Sequence, residues 1–338
     1  MEPLRVAGEP QDVVASLRDW LGATDAPPLV VETSGSTGAP KRVLLPRDAV
    51  LASVAATARR LGGAGRWALV LPPTYVAGVQ VVVRSLVAGH EPVVDGWADV
   101  RGSARYTSVV PTQLHRLLDS RADVAALAAM DAVLLGGGPI HPAMRQRAES
   151  AGIRVVATYG MAETCGGCVY DGYALDGVAL AIGADGRIRI RGPMLFAGYD
   201  GDSAATAEAL EDGWFLTADT GRLDEDGRLQ VLGRLDDVVI SGGVNVPTPA
   251  VAARLRKHPD VTDAAVVGVP DEEWGHRVVA FVVSTSATDL QGLRAWVAAV
   301  HPRSWAPRDV VVVDALPLLP NGKVDRLTLQ SRAVGERA

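Results

Sequence analysis

Apolar and polar residues follow two different periods along the chain up to about residue 180. Short apolar runs bounded by turn residues have the length of buried strands, and between them apolar residues recur every three or four positions, as on one face of a helix. The runs predict strands at 29–31, 42–45, 67–71, 91–94, 106–109 and 132–135, and the helical spacing predicts helices at 13–21, 48–61 and 78–88. This alternation predicts an α/β architecture with a largely parallel sheet.

The pattern changes after about residue 180, where the strands are short and Asp-Gly pairs separate them. Asp185-Gly186 and Asp226-Gly227 are typical of hairpin turns. We expect strands at 187–191, 228–232, 238–240, 264–269, 278–283 and 310–314, with helices at 249–257 and 290–300. The sequence therefore predicts a large domain, residues 1–235, and a small α+β domain, residues 236–338, with the boundary near 234–237.

Composition narrows the functional class. The 338 residues are 48% hydrophobic, and their formal net charge of −6 gives no basic excess of the kind that nucleic-acid and membrane-surface binders carry. The most apolar stretch, 76–88, is shorter than the roughly 20 residues that span a bilayer, and no basic-headed apolar segment opens the chain as a signal peptide would. We expect a cytoplasmic enzyme with no nucleic-acid partner and no membrane insertion.

The two cysteines, Cys165 and Cys168, form a C-x-x-C pair. A zinc site would need two more ligands, and the six histidines are scattered without an H-x3-5-H spacing. A thioredoxin-like redox pair would open a helix near the start of a βαβ unit, whereas this pair lies in mid-chain. We favour two small residues that line a pocket wall over a metal or redox site.

The strongest local signal is Thr-Ser-Gly-Ser-Thr-Gly-Ala-Pro-Lys at 33–41, directly after the predicted strand 29–31. Glycine lets backbone N–H groups turn towards an anion, and hydroxyls with one lysine complete a phosphate cradle. The run lacks the spacing of a P-loop, because Pro40 precedes Lys41 and Arg42 follows it. A plain Ser/Gly-rich surface loop is the alternative, although a loop that needed only flexibility has little reason to contain Pro-Lys.

This loop and five further motifs, in the same order, resemble the adenylate-forming superfamily of acyl-CoA synthetases, adenylation domains and luciferases. The other motifs are Gly-Gly-Gly-Pro-Ile at 136–140, Tyr-Gly-Met-Ala-Glu-Thr at 159–164, Thr-Ala-Asp-Thr-Gly at 217–221, Gly-Arg-Leu-Asp-Asp at 233–237 and Pro-Asn-Gly-Lys-Val-Asp-Arg at 320–326. The resemblance covers about 30–326. It implies an adenylate-forming fold with a truncated large N-terminal α/β domain and a small C-terminal α+β domain joined by a hinge.

The resemblance also implies roles in joining a carboxylate to the α-phosphate of ATP. Lys323 would stabilise charge on the phosphoryl group, Glu163 would hold Mg²⁺, and Thr33 would complete the catalytic set. Asp219 would hold the ribose, and Arg234 the ribose or a phosphate. The implied ATP-binding residues are Thr33, Ser34, Gly35, Ser36, Thr37, Gly38, Lys41, Gly137, Gly138, Tyr159, Gly160, Met161, Thr164, Asp219 and Arg234.

Each role has a plainer alternative when the residue is taken alone. Lys323 would then be a solvated lysine in an Asn-Gly turn, and Glu163 a carboxylate at a helix start. Asp219 would be an aspartate in an ordinary turn, and Arg234 a surface arginine.

A second half-reaction with coenzyme A is likewise implied by the resemblance. In the family, the small domain rotates about a hinge, which removes the lysine and brings in the face that binds CoA. Asp236 matches the hinge position. Gly242 and Gly243, in Ser-Gly-Gly-Val-Asn at 241–245, match the loop that lines the pantetheine tunnel.

Two features indicate the acid. The stretch 160–172, with 175–178 after it, resembles short o-succinylbenzoate–CoA ligases, the class whose product leads to menaquinone. Arg84 is a lone cation in an apolar run, and such a charge needs a partner or a route to water. Either Arg84 extends to the surface, or it binds the second carboxylate of a dicarboxylic acid. The acyl pocket would also contain Tyr75, Gly136 and Gly160.

Three departures from the family pattern bear on this interpretation. Tyr75 stands where the family usually has His, Arg42 replaces a usual glycine, and few residues precede Thr33. We expect reduced N-terminal parts, as in compact o-succinylbenzoate–CoA ligases.

The alternative functions are another aryl- or acyl-CoA ligase, a stand-alone adenylation enzyme and a non-catalytic ligand-binding relative. The expected partners are small-molecule substrates, and a homo-oligomer is compatible with the sequence.

Overall fold

The structure is a computed structural model that describes residues 2–33, 41–94, 102–284, 289–319 and 323–335, without the side chains of residues 236 and 335. The chain forms two compact units. The first comprises Met1–Ala181, Arg189–Thr217 and Leu223–Leu229, and the second comprises Ile182–Ile188, Ala218–Arg222 and Gln230–Ala338. The predicted division at 235/236 stays a prediction, and the two units are described separately below.

The first unit contains helices and short strands in alternation. Its helices are α1 (Pro10–Gly22), α2 (Arg47–Leu61), α3 (Val76–Val87), α4 (Pro111–Leu117), α5 (Arg121–Ala128), α6 (Pro142–Ser150) and α7 (Ser203–Ala209). The strands up to residue 211 are β1 (Leu4–Arg5), β2 (Leu29–Glu32), β3 (Arg42–Leu45), β4 (Trp67–Ala68), β5 (Tyr106–Val109), β6 (Ala132–Leu135), β7 (Val155–Met161), β8 (Gly166–Tyr170), β9 (Tyr173–Ala174), β10 (Ala179–Ile182), β11 (Arg187–Arg191), β12 (Gly198–Tyr199) and β13 (Leu210–Glu211).

The largest sheet has the order β4-β5-β6-β7-β8-β9, and β4 to β7 run parallel. Strands β5 and β6 are buried along their whole length, as the apolar runs at 106–109 and 132–135 predict. A hydrophobic cluster that includes Leu114, Leu127 and Ile153 packs α4 and α5 near this sheet. The predicted parallel α/β arrangement is thus confirmed for this unit.

A smaller sheet, of order β1-β2-β3-β12, carries the predicted phosphate loop. Strands β2 and β3 pair antiparallel with Glu32 opposite Arg42, so the loop between them joins two adjacent strand ends. On the other side of β3, Gly198 pairs with Leu44 and Tyr199 with Val43. This pairing places a segment from around residue 199 beside the end of the loop.

Helix α3 is buried on nearly every side. Val79, Val81, Val82 and Val83 are fully buried, and so are the polar residues Gln80, Arg84 and Ser85. A helix that is apolar all round belongs to an interior, and α3 is accordingly central to this unit. A Cβ on Gly78 would lie 2.2 Å from the Pro72 carbonyl oxygen, so only glycine permits this close approach.

The next strands, β14 (Trp214–Leu223) and β15 (Leu229–Arg234), belong to a sheet of order β10-β11-β14-β13 in which β15 pairs with β14. The two Asp-Gly turns are confirmed. Gly186 and Gly227 have positive φ, and their N–H groups donate to the carbonyls of Gly183 and Asp224, respectively. Positive φ at these turn positions explains the choice of glycine.

The second unit has an α+β core, as predicted. Its elements after residue 237 are β16 (Val238–Ser241), β17 (Val244–Pro247), α8 (Thr248–Leu255), β18 (Val261–Asp271), β19 (Gly275–Ser284), α9 (Leu290–Ala298), β20 (Asp309–Val312) and α10 (Arg326–Gly335). The sheet order is β17-β16-β19-β18, with β20 parallel to β19. Alternate residues of β18 face two clusters: Val266 lies with α8 and α9, and Val267 with α10.

Two local predictions differ from the structure, and one helix was not predicted. The strand predicted at 91–94 is wrong, because only Val93 forms an isolated bridge, to Ala68. The strand predicted at 67–71 is shorter and ends at Ala68. Helix α10 was not predicted, although Leu329 and Ala333 are buried on it. In the described part of the chain, every helix is too short or too polar to cross a bilayer.

Candidate active site

The ends of the predicted phosphate loop are held together by hydrogen bonds. The Thr33 N–H donates to the Lys41 carbonyl oxygen at 2.9 Å, and the Lys41 N–H donates to Thr33 Oγ1 at 3.2 Å. The Thr33 hydroxyl therefore closes the base of the loop. The remaining predicted phosphate ligands lie outside the described residues: Ser34, Gly35, Ser36, Thr37 and Gly38.

A tyrosine connects this loop to the predicted magnesium ligand. The Lys41 Nζ lies 4.6 Å from the ring centroid of Tyr199, and the Tyr199 hydroxyl donates to Glu163 Oε1 at 2.9 Å. Tyr199 and Glu163 are each 8% exposed. Burial, followed by the negative charge of Glu163, raises the pKa of Tyr199, so the phenol stays protonated and keeps donating at neutral pH.

Glu163 is held by the backbone on both sides. It lies in a short 3-10 turn, Ala162–Thr164, and its carbonyl accepts from the Phe196 N–H at 2.9 Å. The Thr164 hydroxyl accepts from the Met161 N–H and donates to the Gly166 carbonyl at 2.7 Å. Thr164 thus fixes the turn that carries Glu163, and its predicted contact with ATP stays a prediction.

Close packing accounts for two of the motif glycines. A Cβ on Gly160 would lie 2.0 Å from the Gly166 carbonyl oxygen, and one on Gly136 would lie 2.3 Å from Thr158 Oγ1. Gly137 has φ +81°, whereas a Cβ on Gly138 would have only Pro111 side-chain atoms near it, at about 4 Å.

Tyr159 and Met161 belong to β7, which pairs with β8. These strands bring 136–138 and 159–163 to one edge of the largest sheet, since β6 and β7 are parallel neighbours.

Arg84 is buried, with 5% of its surface exposed, and its guanidinium carbon lies 5.0 Å from the Trp67 ring centroid. Within the described part of the chain, its Nε has no hydrogen-bond partner. The alternative that the Arg84 side chain extends to the surface is therefore wrong.

One turn earlier on α3, Gln80 is 1% exposed, and neither amide atom finds a partner among the described residues. Tyr75 precedes α3 and is half-buried.

Asp219 and Arg234 lie on neighbouring strands of the second unit. Asp219 belongs to β14 and Arg234 ends β15. The Thr220 hydroxyl donates to the Gly233 carbonyl at 3.2 Å, which holds the residues next to Asp219 and Arg234 side by side. The structure therefore brings these two candidate ribose ligands to one part of this unit. Asp236, the predicted hinge residue, lies in the following 3-10 turn, Leu235–Asp237.

Lys323 lies next to a short antiparallel bridge of the second unit. Leu318 pairs with Val324, and the Leu319 N–H donates to the Lys323 carbonyl at 2.8 Å. The Lys323 side chain is exposed.

Three residues later, Arg326 pairs with Asp237 at 3.0 Å and donates to Thr248 Oγ1 at 2.8 Å. Burial lowers the pKa of Arg326, and the Asp237 carboxylate opposes that shift.

Gly242 and Gly243 form the two-residue turn between β16 and β17, where Ser241 pairs with Val244. Both have positive φ, +56° and +77°, as a type I′ hairpin turn requires. A Cβ on Gly242 would lie 2.8 Å from the Trp274 ring, whereas the space beside Gly243 is open to 4 Å. The turn explains both glycines, and their predicted contact with CoA stays a prediction.

The cysteine pair has the character of buried structural residues. Burial raises the pKa of the Cys168 thiol to about 12 and raises that of Cys165 as well, so neither thiolate forms at neutral pH. Both thiols are free. Among the described residues, no group of three or more His, Cys, Asp or Glu could hold a metal ion. Cys168 lines a small pocket with Ser53 and Met194, which agrees with the pocket-wall interpretation for this one cysteine.

Three residues that lie near candidate residues of their own unit were not predicted from the sequence. Tyr199 follows Gly198 in an apolar stretch, and a Gly-Tyr pair has no distinctive signal without the strand pairing that places it. Gln80 could have been found, because it is polar within the same apolar run as Arg84. Arg326 follows Lys323 by three residues, and its link to Asp237 joins segments far apart in sequence. The unusual Arg42 has a structural explanation, an ion pair with Asp200 at 3.2 Å.

Comparison with known proteins places the chain in a family. The AMP-binding enzyme model matches residues 23–200, and the model for the AMP-binding enzyme C-terminal domain matches residues 250–323. A probable 2-succinylbenzoate–CoA ligase of Mycobacterium tuberculosis (strain H37Rv) is 45% identical over 344 residues, which cover 96% of this chain and 90% of that protein.

Solved structures agree with this assignment. The o-succinylbenzoate CoA synthetase from Bacillus subtilis, in complex with the acyl-adenylate intermediate OSB-AMP, superposes with a TM-score of 0.77 at 28% identity, covering 89% of this chain and 68% of that one. The same synthetase in complex with ATP and a magnesium ion gives a TM-score of 0.76 at 27% identity, with coverage of 89% and 69%. The chain has the adenylate-forming fold, with a large N-terminal and a smaller C-terminal domain, and it belongs to the AMP-binding enzyme family.

Proposed function

We propose that this protein is an o-succinylbenzoate–CoA ligase, an AMP-forming acid–thiol ligase of menaquinone biosynthesis. ATP, o-succinylbenzoate and CoA would give o-succinylbenzoyl-CoA, AMP and pyrophosphate. The observation that carries the proposal is Arg84, a guanidinium that is 5% exposed and has no acidic partner among the described residues. A buried cation of this kind suits an acid that has a second carboxylate besides the reacting one. The 45% identity with a probable 2-succinylbenzoate–CoA ligase supports the same acid.

In the first half-reaction, a carboxylate oxygen attacks the α-phosphorus of ATP and pyrophosphate leaves. The loop 33–41 would bind the phosphates, with Lys41 at its end and the Thr33 hydroxyl closing its base. Gly137, Gly138, Tyr159, Gly160 and Met161 would surround the adenine and the acyl carbonyl, and Asp219 and Arg234 would hold the ribose. Lys323 would stabilise the charge that develops on the phosphoryl oxygens.

The residues around Glu163 fit a magnesium ion. Mg²⁺ in nucleotide sites takes one or two carboxylates together with substrate phosphates, so a single buried glutamate is a suitable protein ligand. Tyr199 engages one of the two carboxylate oxygens of Glu163. When bound, the ion would neutralise charge on the ATP phosphates. Tyr199 and the 3-10 turn would hold the carboxylate in a fixed orientation for it.

In the second half-reaction, the CoA thiol attacks the acyl carbonyl and AMP leaves. The hinge at Asp236 would let the C-terminal domain change its orientation, which would exchange Lys323 for a CoA-binding face. Gly243, with open space beside its Cα, would give the pantetheine arm room. Arg84, together with Tyr75, Gly136 and Gly160, would surround the acyl group in both half-reactions.

The partners would be the three small-molecule substrates, with no nucleic acid and no membrane insertion. The formal net charge of −6, with no basic excess, supports the lack of a nucleic-acid partner, and we place the enzyme in the cytoplasm. Self-association is compatible with the chain, and sedimentation of the purified protein measures it.

A pyrophosphate-release assay with a panel of acids, with and without CoA, tests the proposal. We expect release with o-succinylbenzoate, sustained turnover only when CoA is added, and little release with benzoate or fatty acids. Release with benzoates but not with o-succinylbenzoate would instead support another aryl-CoA ligase. Turnover without CoA in the presence of a carrier protein would support a stand-alone adenylation enzyme. Absence of release with every acid would support a non-catalytic relative.

A further inference from the structure

Gln80 is a fully buried amide that finds no hydrogen-bond partner among the described residues. Its side chain is 1% exposed, and neither Nε2 nor Oε1 has a hydrogen-bond partner in the described part of the chain. Arg84 Nε, on the same helix four residues later, is in the same state. Three partnerless polar atoms therefore belong to two side chains on one face of α3.

Such an arrangement is unfavourable unless something else satisfies it. More than nine in ten buried polar groups in folded proteins are hydrogen-bonded, because a buried donor or acceptor without a partner loses its interaction with water. A purely structural role would favour leucine or methionine at position 80, since its neighbours Val79, Val81, Val82 and Val83 are all buried and apolar. The retained amide points to a ligand that supplies the partners.

The location of Gln80 indicates which part of the ligand it meets. Its Cγ lies 3.4 Å from where a Cβ of Gly166 would be, and the Gly166 carbonyl accepts from Thr164, the neighbour of Glu163. Arg84 is one turn further along α3, about 6 Å by helical rise, towards Trp67. Gln80 therefore lies between the end of the site that would bind phosphate and the guanidinium of Arg84.

o-Succinylbenzoate presents its groups in the same order. Its reacting carboxylate is separated by two methylene groups from a ketone, and the ketone is attached to the ring beside the second carboxylate. With the reacting carboxylate near Glu163 and the aryl carboxylate on Arg84, the ketone falls in the middle. A ketone oxygen can only accept a hydrogen bond, and Gln80 Nε2 is a donor.

We propose that Gln80 is a specificity-determining residue that recognises the ketone of the acyl substrate; this assignment rests on the proposed function. Nε2 donates to the ketone oxygen, and Oε1 accepts from Arg84 Nε once the aryl carboxylate orders the guanidinium. With the substrate bound, all three of these atoms then have partners: Nε2 bonds to the ketone, and Oε1 and Arg84 Nε bond to each other. The pair distinguishes 2-acylbenzoates from alkylbenzoates of the same length and charge.

The test compares two substrates in the wild type and in Gln80→Leu, which has a similar volume and no amide. The substrates are o-succinylbenzoate and 2-(3-carboxypropyl)benzoate, which has a methylene in place of the ketone. We expect kcat/KM of the wild type to be about 10- to 100-fold higher for o-succinylbenzoate than for the methylene analogue. In Gln80→Leu the two substrates should have about equal kcat/KM. Gln80→Met serves as a second variant if the leucine protein does not fold.

Thermal melting without ligand provides the second readout. Because Gln80→Leu removes two unsatisfied buried atoms, its Tm should equal or exceed that of the wild type. Ser85→Ala is the matched control on the same helix. The Ser85 hydroxyl accepts from the Trp67 N–H at 3.2 Å, so this variant should melt earlier while keeping the ketone preference.

The outcomes separate this assignment from the proposed function. An unchanged ketone preference in Gln80→Leu overturns the assignment. If the Tm of that variant is also lowered, Gln80 is a structural residue. A wild type that adenylates o-succinylbenzoate and the methylene analogue equally well overturns the assignment alone. A wild type that adenylates neither, but accepts another acid, overturns the proposed function.

Discussion

The Tyr199 hydroxyl donates a 2.9 Å hydrogen bond to Glu163 Oε1, and the ring of the same tyrosine lies 4.6 Å from Lys41 Nζ. One side chain thus contacts both the end of the phosphate loop and the carboxylate proposed to hold Mg²⁺. The pairing of β12 with β3 creates this arrangement, because it places Tyr199 opposite Val43, two residues after Lys41. We expect Tyr199 to act as a positioning residue for Glu163.

Replacing Tyr199 by Phe should weaken the use of magnesium. The phenylalanine keeps the ring beside Lys41 but removes a hydrogen bond to a charged group, worth about 1.5–3 kcal/mol. Glu163 would then be less well oriented, and the Mg²⁺ concentration for half-maximal pyrophosphate release should rise by about 10-fold or more. Tyr173→Phe is the matched control, because Tyr173 is 42% exposed on β9. A normal magnesium curve for Tyr199→Phe would contradict the positioning role.

Replacing Arg84 by Met should affect one class of acid only. Removing one member of a buried charge pair costs about 2–5 kcal/mol, so kcat/KM for o-succinylbenzoate should fall by about 30-fold or more. Activity with 4-oxo-4-phenylbutanoate, which lacks the aryl carboxylate, should be unchanged or higher. Arg59→Met is the control, since Arg59 forms a surface pair with Asp176 and such pairs contribute little. An unchanged kcat/KM for o-succinylbenzoate would remove Arg84 from the acyl pocket.

The buried thiols should make the protein less stable at alkaline pH. Burial raises the pKa of Cys168 from 9.0 to about 12, so between these values the unfolded chain binds fewer protons than the folded one. The contribution is fully present below pH 9 and is lost as the pH rises towards 12. Melting temperatures of the wild type and of Cys168→Ala should converge over this range. A constant difference between them would show that the thiol does not titrate differently on unfolding.

The contact of Arg326 with Asp237 should stabilise the second unit and its proposed hinge. Arg326→Met removes the 3.0 Å ion pair and the hydrogen bonds to Thr248 Oγ1 and to the Val266 carbonyl. We expect the free energy of unfolding to fall by about 1–3 kcal/mol in urea titrations. Arg332→Met is the control, because Arg332 is exposed on the same helix, α10. Equal losses in the two variants would mean that the ion pair adds nothing.

The sequence predicted those parts of the fold in which local pattern and burial coincide. The apolar run at 106–109 became β5 because every one of its residues is buried in a parallel sheet. The strand predicted at 91–94 is wrong, because only Val93 pairs with a neighbouring strand, through an isolated bridge to Ala68. Helix α10 has a weak periodicity, and it is fixed by Leu329 and Ala333 packing on the sheet, which no local pattern reveals.

The candidate site residues also fall into two groups: those that a local sequence motif reveals, and those whose contacts join positions distant in sequence. Motif order predicted Glu163, Asp219 and Lys323 as site residues, because each belongs to a short local sequence motif, and their roles stay predictions. Tyr199 could not be found, since its role depends on a hydrogen bond to a residue 36 positions earlier. For Arg84 the sequence left two alternatives, extension to the surface or binding of a second carboxylate. Its burial on helix α3 excludes the first, and the second stays a prediction.

The most direct test of the central claim is mass-spectrometric identification of the products formed from ATP, Mg²⁺ and o-succinylbenzoate, first without and then with CoA. We predict a mass for o-succinylbenzoyl-AMP without CoA, and its conversion to o-succinylbenzoyl-CoA and AMP when CoA is added. Neither product should form with Glu163→Gln at the same magnesium concentration. Formation of ADP, or of no o-succinylbenzoyl adduct while another acid is converted, would contradict the account.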